Sequence, residues 1–145
     1  MYAEDLRTGQ TFGPGAWRQV TQADIDAFAA ATGDHQWLHT DPARAAEGPF
    51  GTTIAHGWLS LSLVAPFIFD LLSLDDALVV NYGANRVRFP SPLPCGDRIR
   101  ATFRVDEVTS IDKQATQLVL DAVVEREHGA KPVCAAQLVM RTQRA

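Results

Sequence analysis

The sequence predicts an α+β fold in which an antiparallel sheet wraps around one long apolar helix. Segment 57–73 is apolar on nearly every face, which in a soluble protein indicates a helix enclosed by other elements. The later segments alternate apolar and polar residues with a period of two, as strands with one buried face do. Strands that follow helices without strict alternation indicate an antiparallel sheet.

The first helix carries its own start and stop signals. Thr21 and Asp24 resemble a capping box, with Asp in place of the more usual Glu or Gln. Ile25 begins an apolar pattern with helical spacing, and Gly33 supplies a stop. A helix is therefore predicted over Gln22–Thr32.

Two more helices are predicted before the strands begin. Asp41-Pro42 places a capping carboxylate before a proline at the first helical position, which opens a short helix through Ala46 that Gly48 ends. The enclosed helix runs from Gly57 to about Ser73. Pro66 lies well inside it, so a kink or a local break is expected there.

Strands occupy the second half of the chain, after a short strand that precedes the first helix. Arg98–Val105 and Leu118–Glu125 each alternate apolar and polar residues. A turn at His128-Gly129 precedes a last strand, predicted from about Pro132 to Thr142. Leu78–Phe89 adds one or two strands.

Length and composition predict one globular domain over residues 1–145. Hydrophobic residues make up 46% and charged residues 21%, which excludes a disordered, collagen-like or disulfide-stapled chain. The net charge of −4 disfavours nucleic acid as a partner. Segment 54–72 contains His56, Pro66 and Asp70, and polar groups are costly at the centre of a bilayer. We therefore expect a core helix and no membrane partner.

The cysteines and the first residues predict a cytoplasmic protein. Cys95 and Cys134 have no metal-ligand spacing and are read as ordinary thiols in a reducing compartment. Residues 1–5 lack the basic stretch and apolar run of a signal peptide.

The segment Gly33–His39, predicted as a loop, holds the first candidate for chemistry. Asp34 and His39 stand five residues apart, so that a carboxylate and an imidazole can converge on one water molecule. Imidazole titrates near neutrality, which suits general acid–base catalysis. Spacing alone favours a structural turn, because Gly-Asp after a helix is common turn chemistry.

The same segment contains an H-x-x-x-H pattern formed by His35 and His39. Zinc proteases need a glutamate after the first histidine, and Gln36 stands there instead. The sequence therefore predicts no metal. A metal site built from Asp34, His35, His39 and His56 is the alternative.

Gly57 opens the enclosed helix and is a candidate hydrogen-bond donor to an oxyanion. The first helical turn leaves backbone N–H groups unpaired, and a residue without a side chain lets a carbonyl oxygen approach them. This N–H can then stabilise developing negative charge. A glycine needed only for a tight entry to the helix is the alternative.

A basic segment lies between positions 86 and 104, where five arginines accompany one acid, Asp97. The arginines are Arg86, Arg88, Arg98, Arg100 and Arg104. Side chains two residues apart on a strand share a face, so these residues form a stripe that can meet phosphates. Charged residues on a solvated strand face also protect sheets from aggregation, which is the alternative.

Three segments together resemble the MaoC-like dehydratase family, and within it the nodulation-protein-N-like branch, which includes (R)-specific enoyl-CoA hydratases. They are ATGDHQWLHTDP at 31–42, GPFGTTIAHG at 48–57 and NYGANRVRFP at 81–90. The resemblance covers most of the chain. It implies a hot-dog fold, a long central helix wrapped by an antiparallel sheet, paired as a homodimer with the active site near the subunit interface.

The resemblance also implies roles for individual residues. Asp34 and His39 match the catalytic pair of the family, and Gly57 matches the glycine whose N–H faces the thioester carbonyl or the catalytic water. Ser62 falls where some members place a serine that lines the acyl site. Many members have Asn-Pro where this chain has Gln36-Trp37, so the shape of the pocket and the acyl-chain preference are expected to differ.

The implied reaction is reversible hydration of a trans-2-enoyl-CoA to an (R)-3-hydroxyacyl-CoA, without a cofactor. Coenzyme A carries several phosphate charges, and Arg88 is the leading candidate to meet them. Thioesterases and acyl-ACP dehydratases are the nearest rivals, and the resemblance to them would imply an acidic residue on the central helix. Here that acid is Asp70, roughly 20 Å along the axis from Gly57, which favours hydratase chemistry. A non-catalytic acyl-CoA binding module is the alternative from another class.

Overall fold

The computed structural model describes residues 1–145, which form five helices and six strands after a single 3-10 turn at Ala3–Asp5. The helices are α1 (Gln22–Thr32), α2 (Trp37–Thr40), α3 (Pro42–Ala46), α4 (Gly57–Ser62) and α5 (Val64–Leu72). The strands are β1 (Thr11–Phe12), β2 (Arg18–Gln19), β3 (Leu78–Arg88), β4 (Arg98–Ser110), β5 (Ala115–Arg126) and β6 (Cys134–Gln143). None of the helices has both the length and the apolar character needed to cross a membrane.

The strands form one antiparallel sheet, as the sequence predicts. Its order is β1-β4-β5-β6-β3, and β2 also pairs with β4. β3 therefore lies at an edge, paired only with β6. The predicted segment 78–89 is one strand whose register shifts twice, between Asn81 and Gly83 and between Ala84 and Arg86.

A cluster of 23 buried apolar residues joins α4 and α5 to the sheet. The helices contribute Leu59, Leu63, Val64, Phe67, Ile68 and Leu72. The strands contribute Ile99, Ala101, Phe103, Val105, Leu118, Leu120, Ala122 and Val124, among others. These strand positions are the apolar half of the period-two pattern, so the alternation correctly identified the face that covers the helices.

The enclosed helix is broken three residues earlier than the sequence predicts. α4 ends at Ser62 and α5 begins at Val64, so that Leu63 separates two helices. In one continuous helix, the ring of Pro66 would clash with the carbonyl of Ser62, four residues before it. Pro66 instead lies in the first turn of α5, where its missing N–H leaves no helical hydrogen bond unmade.

The predicted capping box of α1 is confirmed. The hydroxyl of Thr21 accepts a hydrogen bond from the N–H of Asp24 at 3.2 Å, and the carboxylate of Asp24 accepts one from the N–H of Thr21 at 2.9 Å. Gly33 ends the helix with a left-handed φ of 81°. The chain therefore turns sharply just before Asp34.

The segment after Gly33 is not the plain loop that the sequence predicts, because α2 forms one helical turn within it. The hydroxyl of Thr40 donates to the carbonyls of His35 and Gln36. The N–H of Ile54 donates to the Leu38 carbonyl at 3.0 Å. This turn depends on a long-range contact, which local sequence signals do not report.

Asp97, just before β4, connects the start of that strand to the end of β5. Its side chain is only 6% exposed. One oxygen accepts from Arg126 Nη1 at 2.9 Å, and the other accepts from His128 Nδ1 and from the N–H of Arg98, each at 2.9 Å. Burial raises the pKa of this carboxyl, but the hydrogen bonds outweigh that effect and hold the pKa below its usual value.

We expect Asp97→Asn to lower the free energy of unfolding at pH 7 by about 2 kcal/mol, because Arg126 loses its anionic acceptor. Since the folded pKa lies below the unfolded value, the contribution of the carboxylate is present above about pH 4 and is lost as the pH falls through the folded pKa. Denaturant unfolding at pH 7 and at about pH 3 should therefore show a smaller difference from wild type at the lower pH.

Asp106→Asn is the matched control on β4. The Asp106 side chain is 41% exposed and lies 3.7 Å from Arg104, so its removal should cost less than about 1 kcal/mol. Equal losses in the two variants at pH 7 would contradict the role given to Asp97.

Candidate active site

Asp34, His39 and His56 come together where α1, α2 and α4 meet. Asp34 follows the left-handed turn that ends α1, His39 lies on α2, and His56 is the residue before α4. One polar side-chain atom of each residue lies within 4.8 Å of the other two. The predicted pair of Asp34 and His39 is therefore adjacent in space, and His56 lies beside it.

The hydrogen bonding of His39 defines which of its ring nitrogens is free. Nδ1 lies 2.7 Å from the carbonyl oxygen of Ile54, and a carbonyl only accepts, so Nδ1 carries the hydrogen. His39 is 8% exposed. Burial lowers its pKa; the bond to Ile54 raises it, the nearby His56 lowers it and Asp34 raises it, with a net shift below the usual value. The ring is therefore neutral at pH 7, with an unprotonated Nε2.

His56 contacts both members of the pair. Its ring stacks on that of His39, with centroids 3.9 Å apart and planes inclined by 22°. Its Nε2 lies 2.9 Å from the backbone carbonyl oxygen of Asp34 and 4.0 Å from the carboxylate. The sequence suggested His56 only as a ligand in the alternative metal site, since nothing local indicates that it reaches back to α2.

The carboxylate of Asp34 faces solvent, whereas its backbone is held. The side chain is 53% exposed, and one oxygen accepts a hydrogen bond from the N–H of Gln36 at 3.3 Å. A solvated carboxylate and an imidazole with a free lone pair are therefore side by side. Both groups can accept a hydrogen bond from one water molecule.

The alternative metal site is not assembled as the sequence suggested. His35 is exposed and lies outside the group of three. The rings of His39 and His56 are nearly parallel, whereas a metal ion must lie in the plane of each imidazole that binds it, about 2 Å from the nitrogen. Stacked rings at this separation do not direct two lone pairs at one ion, so the geometry favours acid–base chemistry.

Gly57 is the first residue of α4 and lies directly after His56. A side chain at this position would collide with Phe89, whose ring atoms come within 2.8 Å of a Cβ built on Gly57. Gly57 lines a cavity of about 320 Å³ together with Ile54 and Phe89. Gly57 thus borders this cavity, and the residue before it, His56, contacts both members of the Asp34–His39 pair.

Ser62 lies elsewhere, in a larger cavity of about 460 Å³ between the helices and β3. This apolar cavity is lined by Trp58, Leu61, Ala65, Ile68, Val87 and Leu138, among others. The hydroxyl of Ser62 donates to the carbonyl of Trp58 at 2.8 Å. Trp58 and Phe89 pack edge to face, with centroids 5.5 Å apart, so the two cavities adjoin at this aromatic pair.

The basic stripe is not continuous. Arg98 pairs with Glu127, Arg100 with Glu125, and Arg104 lies 3.7 Å from Asp106 and from Asp121. The other two arginines, Arg86 and Arg88, form no ion pair. Within this stripe, the arginines without an acidic partner are thus confined to β3.

Arg88 lies at the end of β3, exposed and next to Phe89. Its Nη1 donates to the carbonyl of Val87 at 2.8 Å. The next residue, Phe89, lines the Gly57 cavity, so the backbone of Arg88 lies near this cavity.

Trp37, expected from the sequence to reshape the pocket, lines neither the Gly57 cavity nor the Ser62 cavity, whereas Asp70 lies away from Gly57 as the helical spacing predicts. The ring of Trp37 lies on Gly48, about 3 Å from a Cβ built there, and under the guanidinium of Arg44 at 4.5 Å. It connects α2 to α3. Asp70 lines a separate cavity near Arg18, not the one that Gly57 lines.

The chain is similar to known proteins over nearly its full length. Residues 5–126 match the family described as MaoC like domain. The chain is 44% identical over 134 residues to 3-hydroxyacyl-thioester dehydratase Z of Mycobacterium tuberculosis, covering 92% of this chain and 89% of the relative. It is 40% identical over 136 residues to nodulation protein N of Rhizobium leguminosarum, covering 92% and 84%.

The fold is shared as well. The solved structure of an unliganded (R)-hydratase from Pseudomonas aeruginosa matches with a TM-score of 0.76 and 25% identity, over 99% of this chain and 86% of that one. The architecture is the hot-dog fold that the resemblance implied, and the relatives include dehydratases and hydratases. The chain therefore belongs to the MaoC-like dehydratase family.

Proposed function

We propose that this protein hydrates trans-2-enoyl-CoA thioesters to (R)-3-hydroxyacyl-CoA and catalyses the reverse dehydration. The observation that carries the proposal is that the His39 imidazole, whose Nε2 is free, and the exposed carboxylate of Asp34 lie close together at the start of α4. The similarity to a 3-hydroxyacyl-thioester dehydratase supports the class of substrate.

His39 and Asp34 divide the handling of water. The carboxylate of Asp34 accepts one hydrogen of the water molecule and orients it, and Nε2 of His39 removes the other as the water oxygen attacks C3. The C2=C3 electrons move toward the thioester, giving an enolate-like state. The protonated His39 then delivers its proton to C2, so that one H and one OH have been added and the imidazole is neutral again.

Gly57 supplies the third requirement, stabilisation of the enolate oxygen. Its N–H lies in the first turn of α4, where no helical carbonyl accepts it. Phe89 occupies the place of a side chain at Gly57, and the adjoining cavity that Gly57 lines with Ile54 offers the space for a thioester carbonyl. We assign this N–H as the donor to the carbonyl oxygen.

The apolar cavity that contains Ser62 suits the acyl chain. It adjoins the Gly57 cavity at Trp58 and Phe89, and its lining is mainly hydrophobic. An acyl chain that extends past Trp58 would be stabilised by about 25 cal/mol for each Å² of apolar surface that it buries. The coenzyme A phosphates would remain outside, within reach of Arg88.

The open edge of β3 supports a homodimer. β3 pairs with β6 on one side only, and the large cavity between β3 and the helices opens beside the exposed rings of Trp58 and Phe69. A second copy that pairs along β3 would satisfy the free backbone groups and cover these rings.

The thiols are consistent with the proposed cytoplasmic location. Cys95 and Cys134 are both free. Burial raises the pKa of Cys134 to about 11, so its thiol remains protonated and unreactive at neutral pH.

With crotonyl-CoA as substrate, we expect loss of the conjugated thioester absorbance and formation of (R)-3-hydroxybutyryl-CoA. Asp34→Asn and His39→Gln should each lower kcat by about a hundredfold or more, because one removes the orienting carboxylate and the other removes the base. Circular dichroism should show unchanged folding, since the Asp34 side chain is exposed and Gln can replace the N–H that His39 donates to Ile54.

The control for these variants is Asp26→Asn, which changes an exposed carboxylate on α1. Near-normal rates in both Asp34→Asn and His39→Gln would contradict the mechanism. Binding of enoyl-CoA without turnover across several chain lengths would support the non-catalytic binding module instead.

Arg88→Glu should raise KM for crotonyl-CoA by about tenfold with little change in kcat, since it replaces attraction to the phosphates by repulsion. Crotonyl-pantetheine, which lacks those phosphates, should show no such difference. Arg104→Gln is the matched control, because Arg104 already faces two carboxylates. An equal KM increase with both substrates would contradict a phosphate contact.

Light scattering after size-exclusion chromatography should give twice the 15.8 kDa of one chain. Trp58→Lys should shift the equilibrium toward the monomer, because it places a charge in the apolar surface that the second copy covers. Val123→Lys, on an exposed position of β5 away from the edge, is the control. A wild-type monomer at micromolar concentration would contradict this arrangement.

A further inference from the structure

His56 is a buried histidine to which the proposed reaction gives no role. It is 2% exposed and lies between two rings: Phe28 of α1, with centroids 4.9 Å apart, and His39 of α2 at 3.9 Å. It is also the residue from which α4 begins. A single side chain thus connects three helices at the site.

The contacts of His56 favour one tautomer. Nε2 faces the carbonyl oxygen of Asp34 at 2.9 Å and must carry the hydrogen, because a carbonyl only accepts. Nδ1 is buried and has no hydrogen-bond partner. A proton on Nδ1 would be a buried donor without an acceptor, which disfavours that tautomer. The two stacked histidines therefore carry their hydrogens on opposite nitrogens, Nδ1 in His39 and Nε2 in His56.

These contacts restrain both reacting groups. The side chain of Asp34 is half exposed and makes only a local hydrogen bond, so the position of its carboxylate depends on a backbone that His56 anchors. The His39 ring is held at one edge by its hydrogen bond to the Ile54 carbonyl and can tilt about it unless another group packs on its face. The stacked ring of His56 is that group. Without His56, the carboxylate and the free Nε2 would no longer be fixed relative to each other.

We propose that His56 is a positioning residue: its Nε2–H holds the Asp34 backbone and its ring supports the face of His39, so that both groups reach one water molecule. The role rests on the proposed function. It predicts an effect on kcat rather than on KM, because His56 touches neither the acyl chain nor the coenzyme.

Three variants separate the two contacts. His56→Phe keeps a ring against His39 and loses the N–H. His56→Gln keeps a side-chain N–H within reach of the Asp34 carbonyl and loses the ring. His56→Ala loses both. His35→Gln is the matched control, because His35 is one residue from Asp34 but exposed and outside the group.

With crotonyl-CoA, we expect kcat to fall about tenfold in His56→Phe and in His56→Gln, and about a hundredfold in His56→Ala, with KM nearly unchanged. The acid limb of the pH profile should move to higher pH in His56→Ala. Burial is the largest cause that lowers the pKa of His39, and removing the His56 ring admits water to His39.

A second measurement does not depend on turnover. Nitrogen NMR of the four histidines should show Nδ1–H in His39 and Nε2–H in His56 for the wild type, and a mixture of both His39 tautomers in His56→Ala. If the wild type hydrates no enoyl-CoA, the proposed function fails while the NMR result still decides the positioning role.

Unchanged kcat, pH profile and His39 tautomer in folded His56 variants would overturn the proposal. Thermal unfolding identifies the folded variants, and His56→Phe and His56→Gln decide the outcome if His56→Ala does not fold. Activity losses that only match the unfolded fraction would also overturn it.

Discussion

The whole arrangement depends on removing the apolar surfaces of α4 and α5 from water. Because the sheet covers α4 and α5 along their length, the chain can enter α4 only at a point that the strands do not cover. That entry point is the His56-Gly57 junction, and α1 and α2 pack around it. The start of the buried helix pair thus lies beside the segment that carries Asp34 and His39. The location of the site follows from how the core closes.

The elements that sequence patterns predicted well are those specified locally. The capping box of Thr21 and Asp24, the glycine stop at Gly33 and the period-two strands each depend on neighbours within a few residues. The one-turn helix α2 escaped prediction because it depends on a backbone bond between Leu38 and Ile54. The break at Leu63 was displaced from Pro66 because a proline disturbs the turn before it rather than its own position.

The sequence predicted only part of the candidate site, because only some of its contacts join residues that are close along the chain. Asp34 and His39 are close along the chain, so their pairing required only a tight turn. The stacking of His56 on His39 depends on the tertiary packing of α2 against α4, for which the sequence contains no spacing signal.

The arginines did not form the continuous stripe that the sequence suggested. The register between β4 and β5 decides which arginines face carboxylates, and it brings Glu125 and Glu127 next to Arg100 and Arg98. Ser62, suggested by the resemblance, and Gly57, suggested also by its place at the start of the helix, line separate cavities that meet at Trp58 and Phe89.

The two register shifts in β3 bear on the colloidal behaviour of the chain. An unpaired, flat and apolar strand edge templates indiscriminate addition of other strands, which leads to aggregates. Each shift bends and twists the strand locally, so an incoming extended segment cannot keep its hydrogen bonds in step along β3. The edge therefore accepts only a strand of matching curvature, such as β3 of a second copy, and resists the indiscriminate addition that leads to aggregates.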